Sequence, residues 1–220
     1  MFRTVSRSPI CIDIDNTVAD TDTVMRHLMR AVSAGRVDLD HEDVICYEYW
    51  KCRDARGNRL TSEEWKKVVS DFHTEGLLDA QPYEDVVPQL ERLKDVFEVH
   101  LVTSRDSASA PLTRSWLSQH GIPHDFVHFV RHGEKHRLPI GFSYAVDDDR
   151  EQAYAFYAIG VPAIVVSQPW NHLDRHSPIE RLSGWKTIAT RMIERPPPRN
   201  GAVLRSPPDA DPPSGHARPS

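Results

Sequence analysis

Short apolar runs alternate with segments of helical periodicity along most of this chain. The apolar runs predict strands at residues 9–14, 97–102, 126–130, 142–146 and 162–166. Apolar side chains spaced three and four residues apart predict helices at residues 20–34, 61–74, 85–95, 110–120, 150–159 and 178–194. This alternation is typical of an α/β fold, a Rossmann-like open parallel sheet flanked by helices and joined by right-handed crossovers.

Residues 19–84 interrupt the alternation. They are polar, aromatic and helical in pattern, and they lie between the first two predicted strands. Ligands of open parallel sheets bind beyond the carboxyl ends of the strands, so an insert that leaves the first strand there is expected to cover the pocket. We therefore predict an α/β core formed by residues 1–18 and 85–195 and a small helical cap formed by residues 19–84.

Composition limits the partners and the location. The 220 residues are 39% hydrophobic and carry a formal net charge of −5, which argues against binding long nucleic acid, whose phosphates attract Lys and Arg. No apolar run approaches the roughly 20 residues of a membrane span, and three cysteines are too few for a disulfide scaffold. We expect a cytoplasmic protein, without an indication of its oligomeric state. Residues 196–220 are rich in Pro, Arg and Ser, which predicts a disordered tail.

Two carboxylates follow the first predicted strand. Residues 10–18 read ICIDIDNTV, which places Asp13 and Asp15 where the apolar run gives way to a polar turn. Side chains alternate between faces within a strand, but at its end two of them can point to one place. Carboxylates that close repel each other unless a cation lies between them, which indicates a hard metal ion. Such pairs are also common as solvated turn or cap residues.

Polar groups recur at the later strand ends. Residues 100–105 read HLVTSR and residues 144–149 read YAVDDD. Lys135 lies between them and is the only lysine between Lys94 and Lys186, a stretch whose other cationic residues are arginines and histidines. Taken alone, Thr103 and Ser104 suit a helix cap, three aspartates a solvated turn and a lysine the surface. Together, at the ends of predicted parallel strands, they suit phosphoryl transfer, in which carboxylates, Mg²⁺, hydroxyls and a lysine surround the phosphoryl group.

These four elements, in this order, resemble the four motifs of the haloacid dehalogenase (HAD) superfamily of phosphatases. The resemblance implies that Asp13 is a nucleophile that forms an aspartyl-phosphate. It implies that Asp15 is the general acid and base, with its backbone carbonyl as a ligand of Mg²⁺. Thr103 and Ser104 would then bind phosphoryl oxygens, and Lys135 would neutralise charge on the nucleophile and the phosphate. An acid at position 15 favours a phosphatase over a dehalogenase.

Two of the motifs leave a choice of residues. Members of the superfamily usually show two acids where this chain has three. We expect Asp148 to be the principal Mg²⁺ ligand of the acidic motif, Asp147 to be the next and Asp149 the least. The third motif is loose in the superfamily, so Arg131 or Arg137 are alternatives to the lysine. Arginine, with its planar fork, is not a simple substitute for the point charge of a lysine.

Two short sequences narrow the resemblance to one family within the superfamily. They are DIDNTVAD at residues 13–20 and QPWN at residues 168–171, and Thr17 in the first of them completes the first motif. They are similar to the 5′(3′)-deoxyribonucleotidase family and its bacterial relatives. The resemblance spans about residues 9–170. It implies a Mg²⁺-dependent phosphomonoesterase for a small phosphorylated metabolite, foremost a nucleoside 5′-monophosphate. The alternatives are a phosphatase for another small phosphate or for a nucleic-acid end, and a non-catalytic module that binds Mg²⁺ or phosphate.

In those relatives the cap supplies aromatic side chains that pack against the base. The insert offers Tyr47, Tyr49, Trp50 and Trp65, and stacking of a base on an aromatic ring contributes about 1–3 kcal/mol. We expect Tyr49 and Trp50 to contact the substrate, because Trp65 lies in the middle of a predicted helix and is expected to pack. The alternative is that these rings fill the core of the cap. Next to the motifs, Asp20 and Arg105 are candidates for substrate contact or for structural hydrogen bonds.

Overall fold

The computed structural model describes residues 7–195, and its centre is an open sheet. The strands are β1 (Ser8–Ile12), β2 (Phe97–Thr103), β3 (Phe126–Phe129), β4 (Tyr144–Asp147), β5 (Ala163–Val166) and β6 (Glu180–Leu182). They lie in the order β3-β2-β1-β4-β5-β6, and every neighbouring pair is parallel. The predicted α/β fold is confirmed. The predicted disordered tail, residues 196–220, falls outside the described residues.

Helices pack on both faces of this sheet. They are α1 (Thr21–Val32), α2 (Ser62–Asp71), α3 (Leu77–Asp79), α4 (Val86–Lys94), α5 (Ala110–Gln119), α6 (Arg150–Ala158) and α7 (Trp185–Glu194), with 3₁₀ turns at His41–Asp43, Tyr49–Lys51, Ser107–Ser109 and Lys135–Arg137 and a π turn at Phe72–Gly76. Ile10 and Ile12 belong to the same buried cluster as Trp185, whereas Cys11, between them, belongs to that of Phe156. Burial on both faces explains why the strands read as continuous apolar runs. None of the helices within residues 7–195 is long and apolar enough to cross a bilayer.

The chain between β1 and β2, here called the β1–β2 segment, is mostly helical. The side chain of Asp20 caps the amino end of α1, and Thr61 and Glu64 form the capping box that starts α2. Gly76 in the π turn lies against α1, where an added Cβ would stand 3.1 Å from Cδ1 of Leu28. A larger residue would push the two elements apart, so this glycine allows the segment to pack closely.

The prediction of one helix over residues 178–194 is wrong in its first half. Glu180–Leu182 forms β6, which pairs with β5, and only Trp185–Glu194 is helical. Gly184 lies between the strand and the helix. Its φ of 75° is outside the range of an α-helix, so the helix starts only after it. The strand escapes sequence analysis because it is only three residues long and two of them are charged.

Candidate active site

Asp13 and Asp15 leave the sheet at the carboxyl end of β1. The N–H of Asp13 donates to the carbonyl of Val146 on β4 at 2.9 Å, which ties it to the sheet. The chain then turns at Asn16, whose φ of 55° is the left-handed conformation that asparagine tolerates. The side-chain oxygen of Asn16 accepts the N–H of Asp22 at 2.8 Å, so the turn leads directly into α1.

Lys135 lies between two of the predicted acids. Its ammonium donates to Oδ1 of Asp13 at 2.5 Å and to Oδ2 of Asp147 at 2.8 Å, and all three side chains are buried. Burial alone would lower the pKa of Lys135, but the charges of Asp13 and Asp147 and their hydrogen bonds raise it, so this lysine is charged. Arg131 and Arg137, the alternatives for this place, are both exposed.

Three buried carboxylates meet at this point. Asp13, Asp147 and Asp148 each offer an oxygen within 4.8 Å of the others. Burial raises the pKa of Asp13 to about 7, with Asp147 adding to the effect and Lys135 opposing it. Burial and the neighbouring Asp13 and Asp147 raise the pKa of Asp148 as well. Because one lysine does not balance three carboxylates, and because all the donors are oxygens, the cluster fits a hard divalent cation.

The third acid of the triple-aspartate motif has a different position. Asp149 caps the amino end of α6, where its Oδ1 accepts the N–H of Glu151 at 2.9 Å. It lies outside the carboxylate cluster, and its other oxygen stands 3.8 Å from Nε2 of His132. A cap of this kind stabilises the start of the helix.

The carboxylate of Asp15 faces another set of partners. Arg105 donates to both of its oxygens, and the hydroxyl of Thr21 donates to Oδ1 at 2.6 Å. Burial would raise the pKa of Asp15, but the charge of Arg105 and these hydrogen bonds outweigh it and lower the pKa. The side chain of Asp15 therefore stands beside the carboxylate cluster and not in it, and ligation of a metal through its backbone carbonyl stays a prediction.

The end of β2 contributes the hydroxyl groups. Thr103 is fully buried, and its Oγ1 accepts the N–H of Arg105 at 3.1 Å. Ser104 lines the cavity described below, and its buried Oγ has no hydrogen-bond partner within the described part of the chain. A buried hydroxyl without a partner at the mouth of a strand is a ready donor for an anionic ligand.

A cavity of 240 Å³ opens beside these groups. The carboxyl ends of the strands and the β1–β2 segment both line it, and its walls include Asp13, Asp15, Asn16, Thr21, Met25, Tyr47, Tyr49, Trp65, Val69, Phe72, His73, Ser104, Arg105, His132, Lys135 and Asp149. Its volume is close to the lower limit of ligand pockets, roughly 300 Å³. The lining combines charged and polar groups with aromatic rings, which suits a small ligand with an anionic end and an apolar end.

Two of the expected substrate contacts lie elsewhere. The ring of Trp50 is 38% exposed, lies under the ammonium of Lys51 and does not line the cavity. Trp65 lines it instead, stacked on Tyr49 with ring centres 6.5 Å apart. Asp20 caps α1 and lines a separate cavity. Trp65 packs against the core, as its position in the helix predicts, and it lines the cavity as well; the face that α2 turns toward the cavity depends on tertiary packing.

Two residues to which sequence analysis gives no role, Asp22 and Trp170, support the site. Asp22 is buried and accepts hydrogen bonds from Tyr49, His41 and Arg26, which join three parts of the β1–β2 segment. In the QPWN phrase, Trp170 donates to Oδ2 of Asp148 at 3.0 Å. Nothing in the sequence distinguishes Asp22 from a surface acid of an amphipathic helix. The QPWN phrase indicates the family resemblance but does not predict what Trp170 contacts.

Bacterial proteins named as nucleotidases are similar in sequence to this chain. No family model matches the chain. It is 25% identical over 181 residues to “Putative nucleotidase BH1399” of Halalkalibacterium halodurans, which covers 79% of this chain and 87% of that protein. It is 23% identical over 179 residues to “Putative nucleotidase YqfW” of Bacillus subtilis, which covers 79% of this chain and 88% of that protein.

Among solved structures, a HAD family hydrolase from Deinococcus radiodurans with bound phosphate and sodium matches with a TM-score of 0.62. The match covers 86% of this chain and 96% of that one at 12% identity, so it concerns the fold. The resemblance that the four motifs indicate is thus confirmed: this chain has the fold of the haloacid dehalogenase superfamily and is similar in sequence to bacterial proteins named as nucleotidases.

Proposed function

We propose that this protein is a Mg²⁺-dependent phosphomonoesterase that hydrolyses a small phosphorylated metabolite, foremost a nucleoside 5′-monophosphate. The observation that carries the proposal is the position of Asp13. It lies within 2.5 Å of a buried lysine, in a cluster of carboxylates, and beside a second acid that a separate arginine holds. A module that only binds phosphate has no need of that second acid.

In the proposed reaction Asp13 attacks phosphorus, and the bond from phosphorus to the leaving oxygen breaks while a bond from Asp13 to phosphorus forms. The negative charge of a bound phosphate would oppose Arg105, which lowers the pKa of Asp15 in this structure, so that Asp15 can carry a proton. Asp15 gives that proton to the leaving oxygen and then takes one from the water that attacks the aspartyl-phosphate. This second step releases inorganic phosphate and restores Asp13. Lys135 would stabilise the negative charge of Asp13 and of the phosphoryl oxygens. Ser104, whose hydroxyl lines the cavity, would donate a hydrogen bond to those oxygens, and we propose the same role for Thr103.

Asp13, Asp147 and Asp148 would hold Mg²⁺, together with the backbone carbonyl of Asp15. When bound, the ion supplies positive charge at the nucleophile and the phosphate. The donor set supports an ion of this type because it consists of carboxylate oxygens, which suit Mg²⁺ better than softer metals.

The walls of the cavity support the choice of substrate class. Tyr49 and Trp65 stack on each other and both line the cavity, which gives it an aromatic surface that suits the base of a nucleotide. The small volume and the net charge of −5 argue against the end of a long nucleic acid. Another small phosphomonoester is the principal alternative, and a substrate panel separates the two.

The test is phosphate release from nucleoside 5′-monophosphates, nucleoside 3′-monophosphates and short alkyl phosphates, with Mg²⁺ and with a chelator. Wild type, Asp13→Asn and Asp15→Asn are compared with Asp38→Asn, an exposed acid away from the cavity. We expect activity on nucleotides that needs Mg²⁺, is lost in the first two variants and is kept in the third. If the protein folds and binds Mg²⁺ but hydrolyses no compound of the panel, the result would indicate a non-catalytic module that binds Mg²⁺ or phosphate.

The covalent intermediate has its own measurement. With p-nitrophenyl phosphate as substrate, Asp15→Asn is expected to accumulate a phosphorylated enzyme because the second step lacks its base. Intact-protein mass spectrometry after acid quench would show the addition of one phosphoryl group, absent from Asp13→Asn. If neither protein gains mass while Asp15→Asn still releases p-nitrophenol, direct attack by water replaces the aspartyl-phosphate.

A further inference from the structure

We propose that Tyr47 and Trp170 are positioning residues for Asp148, and that Tyr47 couples cation binding at the acidic cluster to closure of the β1–β2 segment over it. This inference rests on the proposed function, because it takes Asp148 as a ligand of the metal ion. The observation behind it is that each oxygen of this buried carboxylate accepts a hydrogen bond from an aromatic side chain, and that the two rings come from different parts of the chain.

The Trp170 side is fixed to the sheet. Nε1 of Trp170 donates to Oδ2 of Asp148 at 3.0 Å, and the ring is 8% exposed. The next residue, Asn171, donates to the carbonyl of Asp148 at 2.8 Å and to the carbonyl of Val166 at 2.7 Å. The loop after β5 is thereby bound to both the end of β5 and the backbone of Asp148, so Trp170 presents its N–H from a rigid support.

The Tyr47 side belongs to the β1–β2 segment. Its hydroxyl donates to Oδ1 of Asp148 at 3.2 Å although the residue as a whole is 44% exposed. Its ring meets that of Trp170 edge-on, with centres 6.4 Å apart, and tilts against His132 on the other side. Between the buried Val44 and Tyr49, the side chains of Ile45, Tyr47 and Glu48 are exposed. The hydroxyl therefore joins an exposed loop of the segment to the acidic cluster.

Two donors on two oxygens fix the rotation of the Asp148 carboxylate. A carboxylate oxygen has more than one lone pair, so it accepts a hydrogen bond and binds a cation at the same time. Partners of this kind orient metal ligands, and their loss typically weakens metal binding about 10-fold to 100-fold. The coupling is reciprocal: if the Tyr47 hydrogen bond strengthens cation binding, the bound cation strengthens attachment of the segment by the same factor.

The same ring also lines the cavity proposed for the substrate. A substrate that packs against Tyr47 and Tyr49 holds the segment closed, and a closed segment keeps the hydroxyl on Asp148. Substrate and metal ion are therefore expected to bind cooperatively, with Tyr47 as the residue that connects them.

The test measures metal affinity directly, by isothermal titration calorimetry of Mg²⁺ and Mn²⁺ into wild type, Tyr47→Phe and Trp170→Phe. Tyr49→Phe is the matched control, because its hydroxyl lies in the same segment but donates to Asp22. We expect Tyr47→Phe to bind the ions about tenfold more weakly or worse, and Tyr49→Phe to bind as wild type does. In parallel, hydrogen exchange of residues 44–52 should slow on adding Mg²⁺ in wild type and not in Tyr47→Phe.

The inference would be overturned if Tyr47→Phe bound the ions as tightly as wild type and its exchange slowed on adding Mg²⁺ as much as in wild type. Equal weakening of ion binding in Tyr49→Phe would also overturn it, because that result indicates a general effect of the segment. The proposed function fails separately. If wild type binds Mg²⁺ and hydrolyses nucleotides while Tyr47→Phe keeps full affinity, only the coupling is wrong. If folded wild type binds neither ion, both the metal site and the coupling are wrong. Tyr47→Phe removes a single oxygen from a partly exposed ring, so the comparison does not depend on whether Trp170→Phe folds.

Discussion

Arg105 holds Asp15 through two hydrogen bonds, from Nε to Oδ2 at 2.9 Å and from Nη2 to Oδ1 at 2.7 Å. The guanidinium is itself fixed, because its Nη1 donates to the hydroxyl of Thr113 on α5 and its Cζ lies 6.0 Å from the centre of the Phe72 ring. Two parallel bonds set the plane of the carboxylate as well as its position. Of the two roles expected for Arg105, the structure shows the structural hydrogen bonds; contact with the substrate stays a prediction, since Arg105 also lines the cavity.

This pair leads to a prediction about the leaving group. In Asp15→Asn, the first step on an alkyl phosphate such as a nucleotide is expected to slow about 10²-fold to 10⁴-fold, because the leaving alkoxide lacks a proton donor. p-Nitrophenolate leaves without protonation, so its first step should change little. Rapid-quench kinetics should therefore show a burst of p-nitrophenol equal to the enzyme concentration, and no burst of nucleoside. Equal slowing of the first step on both substrates would contradict a role for Asp15 as the acid.

A second prediction concerns the fork of Arg105. Arg105→Lys keeps the positive charge but replaces two parallel bonds with a point charge, so the carboxylate of Asp15 is free to rotate. We expect kcat on nucleotides to fall roughly 10-fold to 100-fold with a small change in KM, since misplacement of a reacting group costs rate. Arg114→Lys, an exposed arginine on α5, is the control and should leave kcat as in wild type. A change confined to KM would instead indicate contact with the substrate.

The parts of this site that sequence analysis predicts share one property, which is that backbone topology alone places them. Asp13 follows β1 and Asp147 ends β4, and these strands are neighbours in a parallel sheet, so the two side chains lie at the same edge of the sheet. Lys135 could not be separated from its neighbouring arginines in that way, because its position depends on a 3₁₀ turn. The roles of Trp65 and Trp50 depend on which side of the β1–β2 segment packs inward, a tertiary property that periodicity does not carry.

Lys135 is expected to be essential for the stability of the metal-free protein. Removing one partner of a buried ion pair leaves the other charge without compensation, which typically costs about 3–5 kcal/mol. In Lys135→Met, the free energy of unfolding in chelator should fall by that order, because Asp13 and Asp147 lose their cation. Mg²⁺ should then stabilise the variant more than it stabilises wild type, since the ion replaces part of the missing charge.

Urea unfolding of both proteins with and without Mg²⁺ measures this difference. The matched control is Lys67→Met, which breaks an exposed pair with Asp71 on α2 and is expected to cost less than about 1 kcal/mol in either condition. A Lys135→Met protein as stable as wild type in chelator would mean that the carboxylates of the cluster are largely protonated without the lysine.

The aromatic wall gives a prediction that separates two tryptophans of the same segment. Trp65→Leu should raise KM for a nucleoside monophosphate, because loss of stacking on a base costs about 1–3 kcal/mol, or roughly 5-fold to 150-fold. KM for a short alkyl phosphate, which has no base, should change much less. Trp50→Leu should leave both values unaltered because its ring lies outside the cavity. Equal effects of Trp65→Leu on the two substrates would indicate a packing role.

Stability in acid should depend on Asp125, far from the carboxylate cluster. Burial would raise the pKa of Asp125, but the N–H of Val99, the guanidinium of Arg7 and the nearby Lys94 outweigh it and lower the pKa from its ordinary value. The unfolded chain therefore binds this proton more readily than the folded protein. The stabilisation is complete above the unfolded pKa, and it is lost as the pH falls through the lower, folded pKa.

Asp125→Asn is thus expected to lower the free energy of unfolding at pH 7 by about 1 kcal/mol, at the low end for charged hydrogen bonds because Arg7 is partly exposed. The difference from wild type should shrink as the pH falls toward 3, because wild type then loses the same contribution by protonation. Urea titrations at pH 7, 5 and 3 measure it, with the exposed Asp38→Asn as the control that stays close to wild type throughout. A difference close to zero at every pH would mean that Asp125 acts through its hydrogen bond to Val99, which an asparagine oxygen also accepts, and not through its charge.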